Sequence, residues 1–263
     1  MRLQNALLCS ALVLSLAACG GGSDGDSGAE GSAEMQTVEN NGVELTVPRE
    51  THAGAPVEVT WSGPENGNDY ISVAEVGTGD AAYANYTRTR SGNPLTVRVP
   101  DTPGNYEIRY VTADNDEVLA RAPLTVTDVR ATLDTPSDVG AGAPIDVQWT
   151  GPDNPNDYVS IAEAGTGDAA YANYTRTRRG NPLAIRAPDT PGRYEIRYVM
   201  SQSDRVIARS SVNVTAVEAA FDVADTLMVD TPVAINWTGP DTPNDYISIA
   251  EEGSGDGAYV NYE

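Results

Sequence analysis

Asp-Thr-Pro-Gly-Arg-Tyr-Glu-Ile-Arg-Tyr-Val, residues 189–199, reads as a turn followed by a strand in which apolar and polar side chains alternate. The tyrosine just after the turn, Tyr194, fits a tyrosine corner, in which the hydroxyl of a tyrosine at the start of a late strand hydrogen-bonds back to the preceding turn. Residues 101–111 repeat the segment with a single difference, Asn105 in place of Arg193. The same device is therefore predicted twice.

The whole chain is periodic. The segment Gly-Thr-Gly-Asp-Ala-Ala-Tyr-Ala-Asn-Tyr-Thr stands at 77–87 and again at 165–175, and a variant of it closes the sequence from Gly253. The spacing is 165 − 77 = 88 residues. The tryptophans keep this spacing as well: Trp61, Trp149 and Trp237. A strict period makes each unit one structural module.

The second unit contains short, β-prone segments separated by Gly, Pro, Asn and Asp. Besides 194–199, extended stretches are expected at 143–149, 158–162, 171–178, 183–186 and 206–214. About seven short strands with frequent turns and no long helical segment predict an all-β chain of tandem immunoglobulin-like antiparallel β-sandwiches. Trp149 is expected in the core of its sandwich.

The predicted organisation has five parts. It comprises a lipoprotein signal peptide at 1–19, a flexible acidic tether at 20–40, repeat 1 at 41–127, repeat 2 at 128–215 and a partial repeat 3 at 216–263. The third repeat lacks the last strands of the module, which predicts that the parent chain continues beyond Glu263. The junction at 126–133 has no Gly or Pro, so successive modules are expected to form a semi-rigid rod.

The N-terminal segment predicts export and lipid anchoring. The apolar run 6–18 is too short to span a bilayer, and it ends in Leu-Ala-Ala-Cys-Gly, which looks like a bacterial lipobox with Cys19 as the lipidated residue. The expected location is the bacterial cell envelope, and Gly20 after the cysteine favours the outer membrane or cell surface. The alternative is an ordinary secretory signal with a chance cysteine.

Composition narrows the partners. The chain has 38 acidic and 16 basic residues, a formal net charge of −22, and no lysine. Such a surface repels nucleic acid, so nucleic acid is excluded as a partner and the membrane is expected to be reached only through lipid on Cys19. The two cysteines, Cys9 and Cys19, both lie in the signal region, so the modules are expected to lack disulfides and thiolate metal sites.

No catalytic motif is found. The only histidine, His52, corresponds to Gly140 in the second unit, so the repeat does not need it as a base. The repeats lack Gly-x-Ser-x-Gly, and the sequence lacks His-Glu-x-x-His and a phosphate-binding loop. The chain is therefore expected not to be an enzyme and to need no cofactor.

Two sets of polar residues recur in register. Oxygen-rich loops suit calcium, and the candidate ligands are Asp69, Asp80, Asp157, Asp168, Asp245 and Asp256. Asx-turns and solvation of loops explain the same residues. The second set is an aromatic and basic patch that could bind a protein or a carbohydrate: Tyr83, Tyr86, Arg88 and Arg90, and Tyr171, Tyr174, Arg176 and Arg178. The alternative is structural: each arginine pair shares one face of a strand and forms cross-strand ion pairs with Glu107 or Glu195.

The combination Trp-Thr-Gly-Pro-Asp at 149–153, Tyr-x-Asn-Tyr-Thr at 171–175 and Pro-Asp-Thr-Pro-Gly-x-Tyr at 188–194 resembles immunoglobulin-like repeats of bacterial envelope proteins, which often accompany von Willebrand factor type A domains. The Asp-x-Ser-x-Ser motif of the A domain is absent from this sequence. The resemblance implies a modular protein of the cell envelope and no reaction. Two hypotheses follow: a stalk or interaction array, or accessory modules of a longer chain with a catalytic or metal-dependent adhesion domain beyond residue 263.

Overall fold

The computed structural model describes residues 34–64, 66–224, 226–229, 231–242 and 245–263. The predicted signal peptide, the lipidation site Cys19 and the tether up to residue 33 lie outside the described residues. In the described part no helix is long and apolar enough to cross a membrane. The only helical elements there are two three-residue 3-10 turns, Thr89–Ser91 and Thr177–Arg179.

The first module is a sandwich of two sheets. Its strands in chain order are β1 (Met35–Asn40), β2 (Val43–Pro48), β3 (Glu50–His52), β4 (Pro56–Ser62), β5 (Tyr70–Glu75), β6 (Asn85–Arg88), β7 (Leu95–Arg98), β8 (Gly104–Val111) and β9 (Val118–Thr127). One sheet has the order β1-β2-β4-β7 and the other β3-β9-β8-β5-β6. All pairs are antiparallel except the short β3, which runs parallel to β9.

The second module repeats this topology. Its strands are β10 (Thr132–Asp134), β11 (Asp138–Gly140), β12 (Pro144–Thr150), β13 (Tyr158–Glu163), β14 (Asn173–Arg176), β15 (Leu183–Arg186), β16 (Gly192–Met200) and β17 (Arg205–Thr215). The sheets have the orders β10-β12-β15 and β11-β17-β16-β13-β14. The prediction of tandem immunoglobulin-like β-sandwiches is confirmed.

Alternation along the strands builds both cores. In β12 every second side chain is buried, whereas β13, central in its sheet, is buried over five consecutive residues. The predicted tyrosine corner is present in each module: the hydroxyl of Tyr106 donates to the carbonyl oxygen of Thr102 at 3.0 Å, and that of Tyr194 to Thr190 at 3.0 Å. Trp149 belongs to the second core, at 9% exposure.

Two boundaries differ from the prediction. Met35–Asn40, assigned to the tether, forms β1, because it pairs along its length with β2 and lies against β9, where Gln36 donates to the carbonyl oxygen of Pro123. The stretch 171–178 is not one strand: β14 covers only Asn173–Arg176, and the chain then turns through the 3-10 turn Thr177–Arg179. Arg178, like Arg90, therefore lies outside a strand and shares no strand face with its neighbour.

The third repeat forms two short hairpins in the described residues. They pair β18 (Ala220–Asp222) with β19 (Asn236–Thr238), and β20 (Ser248–Ile249) with β21 (Asn261–Tyr262). Trp237 is 42% exposed, in contrast to Trp149.

The first two modules contact each other directly. Met200 of the second module is fully buried in the core cluster of the first. Asn154 donates to the carbonyl oxygen of Ala53 at 2.9 Å, and Gln202 donates to that of Val99 at 2.7 Å. These contacts restrict motion between the first two modules; the predicted rod of successive modules stays a prediction.

We expect Asn154→Ala to loosen this junction. The change leaves the buried carbonyl oxygen of Ala53 without its donor, which costs about 1–3 kcal/mol. Chemical unfolding of the full chain should show this loss, and small-angle scattering should show a broader distribution of maximum dimensions. Asn66→Ala is the matched control, since Asn66 holds the same position in the first module (154 − 88 = 66) and stands outside the junction. Equal effects of the two changes would contradict the prediction.

Candidate functional site

Each module carries a cluster of three tyrosines on its five-stranded sheet. In the first module Tyr70 is 8% exposed and lies beneath Tyr83 and Tyr86, which are 48% and 45% exposed. The rings pack edge to face, with centroids 6.0 Å (Tyr70–Tyr83), 5.4 Å (Tyr70–Tyr86) and 5.0 Å (Tyr83–Tyr86) apart. Edge-to-face packing is the favoured arrangement for aromatic pairs, so the cluster is preformed.

The same cluster recurs in all three repeats. The corresponding distances are 6.1, 5.4 and 5.1 Å in the second repeat and 6.0, 5.6 and 5.0 Å in the third. The equivalent residues are Tyr158, Tyr171 and Tyr174, and Tyr246, Tyr259 and Tyr262. The geometry is thus reproduced to within about 0.2 Å.

The strand β6 orients the site because its side chains alternate. Asn85 and Thr87 face inward and donate to the carbonyl oxygens of Arg98 and Thr96 on β7, at 2.9 and 2.7 Å. These bonds join the two sheets and provide donors for carbonyl oxygens at the edge of β7. Tyr86, between them in sequence, therefore faces solvent, with Arg88 two residues further along the same face.

A buried arginine holds the loop that carries Tyr83. Arg109 is fully buried, and its guanidinium donates to the carbonyl oxygens of Thr78, Gly79 and Ala82 at 3.1, 2.8 and 3.0 Å. Glu107 pairs with Arg109 from two residues away on the same strand. The part of the repeated segment at 78–82 is therefore held against the sheet by this side chain, and the Asp80–Arg121 pair adds a second contact.

The tyrosines border a cavity of about 320 Å³. Its lining includes Tyr70, Tyr83 and Tyr86, together with Arg88 and Asp116. Asp116 accepts a hydrogen bond from the Tyr70 hydroxyl at 2.8 Å, and Arg88 donates one to the carbonyl oxygen of Asn68 at 3.0 Å. An aromatic surface, a cation and a carboxylate thus meet in one depression.

The predicted patch is assembled in part. Arg88 lines the cavity with Tyr83 and Tyr86, but Arg90 does not. In the second module Tyr171 and Tyr174 pack with Tyr158. Arg176 donates to Asn156, as Arg88 does to Asn68, whereas Arg178 lies in the 3-10 turn.

The expected cross-strand ion pairs of these arginines are not formed. β6 pairs with β5, and β14 pairs with β13, so neither lies next to the strand that carries Glu107 or Glu195. Glu107 pairs instead with Arg109 and Arg121, and Glu195 with Arg197 and Arg209.

Asp69 and Asp157, two of the calcium candidates, are structural. Asp69 is 1% exposed and accepts from the Tyr110 hydroxyl at 3.0 Å and from the backbone N–H of Ala113 at 2.9 Å. Asp157 is fully buried and accepts from the backbone N–H of Ser201 at 3.1 Å. Burial raises the pKa of Asp157, against the opposing effect of that hydrogen bond.

The other calcium candidates are separated. Asp80 pairs with Arg121 and Asp168 with Arg209, each at 2.5 Å. Asp245 accepts from the Thr242 hydroxyl at 2.5 Å, which lowers the pKa of Asp245, and Asp256 is exposed. The described residues contain no group of three or more His, Cys, Asp or Glu arranged to hold a metal ion.

We expect the fold to lose stability at alkaline pH. Burial is the largest cause of a raised pKa at several tyrosines, and with Asp116 it raises the pKa of Tyr70 to about 12. The same direction holds for Tyr106, Tyr110, Tyr158 and Tyr198. An acid whose pKa is raised by folding stabilises the fold below its unfolded pKa of about 10, and that contribution disappears as the pH rises through the folded pKa.

Urea unfolding between pH 8 and pH 12, with tyrosinate absorbance recorded in parallel, measures this loss. Tyr70→Phe should flatten the pH dependence above pH 10, because the variant lacks one of the titrating groups. A free energy of unfolding that stays constant up to pH 12 would refute the prediction.

Sequence reasoning missed three members of the site. Tyr70, Asp116 and Arg109 were not assigned to it, although all three are in register with equivalents in the second unit: Tyr158, Asp204 and Arg197. The recurrence of these residues at equivalent positions of both units could have pointed to them. It could not reveal that Tyr70 lies under Tyr83 and Tyr86.

Comparisons with known proteins find only distant similarities. No protein-family model and no curated protein matches the chain. Among solved structures, a marsupial T cell receptor aligns at 12% identity over 77% of this chain and 93% of its own, with a TM-score of 0.30. The Yersinia pseudotuberculosis adhesin InvE aligns at 17% identity over 65% of this chain and 58% of its own, with a TM-score of 0.26.

The D0–D1 domain of intimin aligns at 16% identity over 63% of this chain and 94% of its own, with a TM-score of 0.21. These distant similarities add nothing about ligands. By its own strand order and pairing, the chain is a tandem of immunoglobulin-like β-sandwiches.

Proposed function

We propose that this chain is a non-enzymatic, lipid-anchored protein of the bacterial cell envelope whose sandwiches present the tyrosine clusters to a protein or carbohydrate ligand. The observation that carries the proposal is the pair of half-exposed rings, Tyr83 and Tyr86, repeated as Tyr171 and Tyr174. Aromatic side chains held rigidly at a surface are favoured contact residues, because they offer a large area at little cost in conformational entropy.

The fold accounts for most of the other residues of the repeated segment. Asn85 and Thr87 join the sheets, and the backbone of 78–82 accepts from Arg109. Asp80 pairs with Arg121. Within the described ranges, the hydroxyls of Tyr83 and Tyr86 have no hydrogen-bond partner. These hydroxyls therefore support a role of the two tyrosines in binding rather than in folding.

Repetition of a weak binding site raises the overall affinity for a ligand that reaches several copies. Linking two equal sites makes the second binding event intramolecular, which raises the overall affinity without any new contact. The direct contacts through Met200, Asn154 and Gln202 limit the relative motion of the first two modules. A restricted pair of sites suits a ligand that is itself repetitive or densely displayed.

Anchoring at Cys19 would place this array at the membrane surface. The support is the lipobox-like sequence at 16–20 and the absence of other cysteines beyond it. Radiolabelled palmitate should be incorporated into the wild-type chain in a bacterial host and not into Cys19→Ser. Labelling of the serine variant would refute the anchor without affecting the tyrosine site.

We expect the tyrosine sites to mediate surface attachment. Two sets of bacteria are compared, one displaying the chain and the other displaying a fourfold alanine variant. The number of bacteria that attach to a layer of cells grown on a surface is counted for each. Attachment should fall about tenfold or more, the loss expected for removal of interface hot spots. The variant changes Tyr83, Tyr86, Tyr171 and Tyr174.

The matched control is Glu58→Ala with Asp146→Ala. These exposed residues occupy equivalent positions on β4 and β12, in the other sheet of each sandwich. Circular dichroism checks that each variant is folded. Unchanged attachment of a folded fourfold variant would contradict the proposed function.

A further inference from the structure

We propose that the tyrosine cavity binds a neutral sugar unit, and that the chain's ligand is a neutral polysaccharide engaged by successive modules. This inference rests on the proposed function and specifies its ligand. It is argued from the charge, the hydrogen-bonding capacity, the size and the repetition of the cavity.

The two charges that line the cavity balance each other, so the lining favours neither an anion nor a cation. Arg88 and Asp116 both border it, and they form no ion pair with each other in the part of the chain that is described. An ion of either sign gains one favourable and one unfavourable contact, whereas a neutral polar ligand can hydrogen-bond to both groups. An anion is also repelled by the formal net charge of −22 over the whole chain.

The cavity offers both kinds of hydrogen-bonding group at an aromatic surface. Asp116 supplies carboxylate oxygens, the Arg88 guanidinium supplies N–H donors, and the hydroxyls of Tyr83 and Tyr86 can donate or accept. A sugar ring combines hydroxyls around its edge with an apolar C–H face. The mainly polar lining suits those hydroxyls, and the half-exposed rings of Tyr83 and Tyr86 at its border can contact the apolar face.

The size of the cavity also fits a sugar unit. Its volume of about 320 Å³ lies at the lower end of the range for small-molecule sites. Such a depression accommodates one small unit at a time, with the remainder of a chain continuing over the surface. A single unit bound this way has low affinity.

Repetition of the site favours a polymer. The same ring geometry is present 88 residues further along the chain (158 − 70 = 88), in a module that packs against the first. A polysaccharide presents many equal units, so two modules can bind one molecule. Two sites on one polymer give higher apparent affinity than either site alone.

Affinity electrophoresis of the full chain tests the inference. Native gels contain dextran, galactomannan or hydroxyethyl cellulose as neutral probes, or dextran sulfate as an anionic probe. We expect retardation by at least one neutral polymer and none by dextran sulfate. Dextran sulfate is the direct counterpart of dextran, because the two share a backbone and differ in charge.

Variants assign the binding to the cavity. Tyr83→Ala with Tyr171→Ala should raise the apparent dissociation constant for the retarding polymer about tenfold or more. Tyr83→Ala alone should fall between wild type and the double variant, because the cluster of the second module remains intact. Glu58→Ala with Asp146→Ala should bind as wild type does, and circular dichroism confirms the fold of each variant.

The outcomes separate this inference from the proposed function. If no neutral polymer retards the chain while bacterial attachment still depends on the tyrosines, the ligand class is wrong and the interaction role stands. Retardation by dextran sulfate that equals the retardation by the neutral probes also overturns the inference. Retardation that is unchanged in the double tyrosine variant shows that the cavity is not the binding site.

Discussion

Replacing Arg197 by alanine is expected to destabilise the second module by about 3–5 kcal/mol, because three carbonyl oxygens lose a buried, charged hydrogen-bond donor. The Arg197 side chain is fully buried, and it donates to the carbonyl oxygens of Thr166, Gly167 and Ala170 at 3.0, 2.8 and 3.3 Å. It also pairs with Glu195 at 2.9 Å. The alanine variant leaves the three carbonyl oxygens without this donor, and the loop 165–172 keeps only its other contacts, such as the Asp168–Arg209 pair.

Urea unfolding of the full chain, followed by circular dichroism, measures the effect. Arg193→Ala is the matched control: Arg193 lies on the same strand, is exposed, and should change the free energy of unfolding by less than about 0.5 kcal/mol. Glu195→Gln should cost less than Arg197→Ala, because the amide oxygen can still accept from the guanidinium. A loss below 1 kcal/mol for Arg197→Ala would show that the loop is held by other contacts.

Truncation of Trp149 to alanine is expected to cost about 3–5 kcal/mol, the range for removal of a buried aromatic side chain. The indole N–H donates to the carbonyl oxygen of Gly180 at 3.0 Å, and the ring lies 5.7 Å from that of Tyr198. The variant therefore leaves a cavity beside Tyr198 and removes the donor of Gly180. The midpoint of its unfolding transition should shift to a lower urea concentration.

The first module provides the comparison. Trp61 makes the equivalent contacts, to Gly92 and Tyr110, but it is only partly buried. Trp61→Ala should therefore cost less than Trp149→Ala. Trp149→Phe should recover most of the loss, since it restores the ring and omits only the hydrogen bond to Gly180. A larger effect at Trp61 than at Trp149 would contradict the burial argument.

Local sequence patterns were sufficient to predict most strands and one tertiary contact. Alternation placed 183–186 where β15 (Leu183–Arg186) lies, and the segment 189–199 contained the turn, the strand and the tyrosine corner together. The hydroxyl of Tyr194 bonds Thr190, four residues earlier, so all the information for this contact is local. Strand ends were predicted less well, because the 3-10 turn Thr177–Arg179 follows β14 without any Gly or Pro.

The burial and the contacts of the polar residues could not be inferred in the same way. Asp69 and Asp157 read as solvated loop carboxylates, yet both are buried against Tyr110 or Tyr198, whose strands are about 40 residues away. Arg197 reads as an outward-facing residue of an alternating strand, yet it is covered by the loop 165–172. In each case the partner is remote in sequence, and alternation specifies the side of a sheet but not what covers it.

The sequence by itself determined that this protein is a disulfide-free series of repeated β-sandwiches, because period, alternation and turn chemistry are local properties. Only the tertiary structure decided which repeated residues support the fold and which face outward. Packing of β5 beside β6 brought Tyr70 under Tyr83 and Tyr86, and the register of β6 directed Asn85 and Thr87 inward. The physical reason is that burial and contact depend on which strands become neighbours, and neighbours are set by the closure of the whole sandwich.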